Sequence, residues 1–107
     1  MTKTEFEVIV NNRIETVRNL LINKAAEYAN DQDRLHNFNL GARVSGDIPA
    51  KVLDSYMLKH YCSYRDMLDK MEQGELIPKR VFEEKIGDII TYLFLQEAVM
   101  LDSGLIK

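Results

Sequence analysis

The stretch PKRVFEEKIGDIITYLFLQEAVML, Pro78 to Leu101, decides the fold. From Ile86 onward it is apolar on nearly every side of a helix, which predicts a central buried helix opened by Pro78. Two acids interrupt it. Glu84 and Asp88 stand four residues apart, about 40° from each other around the axis, on the side that also carries Val81, Leu95 and Val99. An ionised acid that is even partly buried needs a cation, hydrogen-bond donors or a shifted pKa, because desolvation otherwise costs several kcal/mol.

Upstream, Asp47 with Pro49 in the first turn predicts a helix start, and Gly74 its end. Between them Val52, Leu53, Tyr56, Met57, Tyr61, Tyr64, Met67, Leu68 and Met71 follow a helical stripe. This assigns the tyrosines to core packing, with stacking on a base as the alternative. Met57, Met67, Met71 and Met100 read as core gap-fillers. A short helix carrying Leu35, Phe38 and Ala42 precedes it, capped by Asp33 or Asn30 and ended at Ser45-Gly46. The first helix is expected from Thr4 to about Asn30 on the spacing of Val10, Ile14, Val17, Leu21 and Tyr28. Glu27 and Asp31 fall toward the border of that stripe. No stretch alternates with period two over a strand's length. The fold class is therefore all-α, a small bundle of three long helices and one short.

The 107 residues suffice for one domain, 1–107. With 46% hydrophobic and 29% charged residues, the chain is expected to fold rather than remain disordered. A net charge of −3 with 14 dispersed basic residues argues against general nucleic-acid binding. The single cysteine, Cys62, fits a reduced compartment, and no apolar run is long enough for a bilayer, so the expectation is cytoplasmic with no membrane partner.

Two pairs of acids, Glu27 with Asp31 and Glu84 with Asp88, form the pattern that helical metal sites use, with Mg²⁺ as the hard cation that takes carboxylates, waters and phosphates. The competing reading pairs Asp88 with Arg34 or Lys59 and turns Glu84 to solvent. His36 and His60 can be ligands or acid–base groups, or hydrogen-bonded structural residues. No phosphate-cradling glycine loop and no hydrolase elbow is present.

The segment Glu84-Lys-Ile-Gly-Asp-Ile-Ile-Thr-Tyr-Leu93 resembles the second acidic helix of the MazG-like all-α nucleoside triphosphate pyrophosphohydrolases. Lys24 to Ala29, Asp33 to Phe38 and Lys59-His60 resemble small phage-encoded proteins grouped near them. The resemblance implies a helical bundle, usually a homo-oligomer, in which acids hold Mg²⁺ against a (deoxy)nucleotide while water attacks and pyrophosphate leaves. Carried over, Glu27 and Asp31 stand for the first acidic motif and Glu84 and Asp88 for the second, as metal ligands with Glu84 and Asp88 catalytic. Arg34, Lys59 and His60 are then phosphate or ligand contacts. The chain departs from the family pattern in two places. Lys85 stands three before Asp88 where the family keeps an acid, and Asn30 stands three after Glu27. Two outcomes are open: a rearranged ligand set, or a non-catalytic oligomeric module that binds a nucleotide or a host protein during phage infection.

Overall fold

A computed structural model describes residues 1–24 and 33–107. Four α-helices run through them: α1 (Lys3–Arg18), α2 (His36–Ser45), α3 (Pro49–Glu72) and α4 (Lys79–Asp102), with a π-helical segment, Asn19–Lys24, continuing α1. The described residues hold no strand, so the all-α small helical bundle is the architecture. Two compact units divide the chain, Met1–Arg34 and Leu35–Lys107.

In the first unit the cap of α1 is Thr2, two residues earlier than Thr4, because Glu5 lies three after Thr2. The Thr2 hydroxyl accepts from the Glu5 N–H at 3.1 Å, and the Glu5 carboxylate accepts from the Thr2 N–H at 2.6 Å. This reciprocal capping box satisfies two donors that a helix start leaves unpaired. The expected continuation to Asn30 enters residues outside the described ones. Of the predicted stripe, Val17 is buried, whereas Val10 and Ile14 are exposed.

The second unit is built on α3 and α4. The Gln96 amide donates to the Ala50 carbonyl at 2.9 Å, and His60 meets Asp88, so positions rise on one helix as they fall on the other. The two helices are therefore an antiparallel pair joined by residues 73–78. Gly74, at φ 79°, ends α3, and the Glu75 N–H returns to the Lys70 carbonyl at 3.0 Å. Pro49 holds Ile48 extended, at φ −85° and ψ 152°, so Ile48 and not Asp47 is the cap residue of α3. The Asp47 carboxylate instead accepts from the Ile48 N–H at 2.9 Å. Likewise Leu35, with no side-chain cap, precedes α2, in place of the expected Asp33 or Asn30.

α2 packs on α3 through a close approach at Gly41. A Cβ there would lie 3.0 Å from Val52 Cγ1 and 3.5 Å from the Tyr56 hydroxyl, so a side chain at this position would make Val52 give by a few tenths of an ångström. The buried apolar side chains of this unit are Ala42, Val52, Leu53, Met67 and Val99, with Leu53 fully enclosed.

Three expectations fail here for one reason. α4 is not a buried rod: Val99 is its one buried residue, while Leu93 (52%) and Phe94 (49%) are half exposed. Tyr56 and Tyr61 are half exposed too, not core residues; of the methionines Met67 is buried as expected, whereas Met71 and Met100 are half exposed. Packing within this unit covers only part of each helix's circumference, so an apolar pattern wider than the covered arc stays open.

Candidate functional site

Asp88 on α4 and His60 on α3 meet across the antiparallel pair. His60 Nδ1 lies 3.2 Å from Asp88 Oδ2, with the two side chains 28% and 39% exposed. His60 thus replaces Arg34 and Lys59 as the partner of Asp88. The Arg34 guanidinium donates to the Leu21 carbonyl at 2.5 Å, and Lys59 is exposed with no ion pair among the described residues. The contact turns the Nδ1 edge of the imidazole toward the carboxylate, so Nε2 is the ring nitrogen directed away from Asp88.

Tyr92 follows Asp88 by one helical turn, and its ring centroid lies 5.0 Å from that of His60 at an interplanar angle of 33°. Burial pushes the Tyr92 phenol above its usual value; the Asp88 charge and then Tyr56 add to the rise. Both act by making the phenolate unfavourable, so Tyr92 remains a neutral O–H donor beside the carboxylate. Tyr56, one turn before His60 on α3, carries the cluster toward α2, its ring 6.2 Å from that of Phe38.

Glu84 precedes Asp88 by one turn and is exposed, as the competing sequence reading had it. Lys85, half exposed, stands beside it. Glu27 and Asp31 lie outside the described residues. Among the described residues no three His, Cys, Asp or Glu side chains come together as a metal cluster. Glu84 and the second oxygen of Asp88 are hard oxygen donors, and one or two carboxylates are what Mg²⁺ takes beside waters and phosphates. His36 begins α2 on the surface, apart from this cluster, and Cys62 is an exposed free thiol.

The sequence offers His60 as a ligand contact and Asp88 as a metal ligand, not as partners of each other, and it does not mark Tyr92. The i, i+4 spacing from Asp88 would have revealed it. No family model, curated protein or solved structure matches the chain. Among the described residues no helix is long and apolar enough to cross a membrane.

Proposed function

We propose that the protein is a MazG-like hydrolase that splits a (deoxy)nucleoside triphosphate into a monophosphate and pyrophosphate. The carrying observation is the meeting of His60 and Asp88, side chains from two helices, with the neutral Tyr92 phenol against the same imidazole. In this reading Asp88 orients His60, and Nε2 takes the proton of the water that attacks the phosphorus. Tyr92 donates to a phosphoryl oxygen, and the exposed Lys59 ammonium meets the phosphate chain. Glu84 and Asp88 would hold Mg²⁺, which when bound supplies charge neutralisation at the phosphates.

Pyrophosphate release from a panel of ribo- and deoxyribonucleoside triphosphates with Mg²⁺ tests the reading. His60→Gln and Asp88→Asn should each lower turnover by about 10²-fold or more. Both variants should stay folded, since a half-exposed pair contributes no more than about 1 kcal/mol. If the wild-type chain turns over no nucleotide, and neither Mg²⁺ nor nucleotide raises its Tm, the hydrolase reading is discarded.

The departures at Asn30 and Lys85, with the exposed apolar flank of α4, favour a second reading: a helical module that binds a nucleotide or a host protein without catalysis. A nucleotide-dependent rise in Tm without pyrophosphate release would select its nucleotide-binding form.

A further inference from the structure

On the flank of the α3–α4 pair that carries Leu58 and Leu93, a groove of about 300 Å³ opens between the helices, lined by Asp54, Met57, Leu58, Tyr61, Ile89 and Leu93. Leu58 is 61% exposed. On α3 the lining residues Asp54, Leu58 and Tyr61 are continued, beyond the groove, by Arg65, at spacings of four, three and four, which puts all four within about 60° of one another around the axis. His60 projects from a different part of the helix.

The order of these four is the informative feature: acid, apolar, apolar, base. The pair Asp54 and Arg65 and the pair Leu58 and Tyr61 share one midpoint, between positions 59 and 60. A two-fold axis through that midpoint, perpendicular to α3, lays a second α3 antiparallel on the first. Leu58 then meets Tyr61 of the other copy, and each Asp54 meets an Arg65. A two-fold interface must be self-complementary in this way. All four side chains are exposed, and neither Asp54 nor Arg65 has an ion-pair partner among the described residues of its own chain. A foreign helix would need the opposite charge order at the same spacing; a second copy provides it without further assumption.

We infer that this groove is a homodimer interface, with α3 of two copies antiparallel across Leu58 and Tyr61 and two reciprocal Asp54–Arg65 pairs at its ends. The apolar centre supplies the attraction, and the terminal charges set register and direction.

Sedimentation velocity of the full chain over a concentration series, at low ionic strength, tests it. Wild type should dimerise. Asp54→Arg alone and Arg65→Asp alone each set like charges opposite one another twice, and should weaken dimerisation by more than about tenfold. The double variant Asp54→Arg/Arg65→Asp restores both pairs and should recover the dimer. The two single variants, mixed, should form a heterodimer, since each then meets its opposite charge at both ends. That mixing also shows that the single variants are folded. A monomeric wild type, a dimer indifferent to the single reversals, or single variants rescued neither by mixing nor by the double exchange would each overturn the inference.

Discussion

Asp88 and Tyr92 lie one turn apart on α4, and the carboxylate acts on the phenol. Burial costs the Tyr92 phenolate its hydration and the Asp88 carboxylate repels it, so the folded chain holds that proton more tightly than the unfolded one. The stability from Tyr92 is fully present below the ordinary phenol value of 10.0 and is lost as pH rises from there through the raised folded value. Tyr92→Phe removes this titration. The stability difference between wild type and the variant, read from urea unfolding midpoints, should therefore shrink as pH is taken from neutrality past 10.0. At this scale the sequence identified an acid in need of a partner, because an i, i+4 carboxylate pair inside an apolar helix is visible in one dimension. It did not identify the partner: His60 belongs to another helix, and its pairing with Asp88 depends on how α3 and α4 are aligned.

Helix ends were legible where a residue's own backbone chemistry dictates them. Gly46 and Gly74 take positive φ, at 74° and 79°, and stop α2 and α3, while Pro49 starts α3. Side-chain caps were less legible: α3 and α2 start behind Ile48 and Leu35, one residue after Asp47 and two after Asp33, and neither start has a side-chain cap. Contact between helices was not legible at all: Gly41 looks like a weak point inside a helix until Val52 is found against it. Replacing Gly41 by Ala gains about 1 kcal/mol of helix propensity, and the Val52 methyl at 3.0 Å opposes that gain. In a Val52→Ala background the opposition is removed. Gly41→Ala should then be more favourable than in wild type by at least about 0.5 kcal/mol, as measured in a double-mutant cycle by denaturant unfolding.

Among the described residues, few side chains carry the core. In Leu35–Lys107 five apolar residues are buried, and only Leu53 has no exposed surface, so the packing of α3 depends heavily on that one position. Leu53→Ala should cost about 2–5 kcal/mol, seen as a lower denaturant midpoint, because the surrounding helices cannot fully close the cavity. The sequence by itself determined the helical class, the four α-helices seen among the described residues, and the breaks at Gly46, Pro49, Gly74 and Pro78, since these follow from backbone propensities and from spacing within one helix. It also marked Glu84 and Asp88 as the acids that needed explaining. Only the tertiary structure decided that Asp88 is answered by His60, that Glu84 faces solvent, and that α4, which read as a buried rod, keeps a flank exposed. The physical reason is that apolar periodicity records how much of a helix seeks cover, whereas the direction and extent of that cover depend on which helices pack against it.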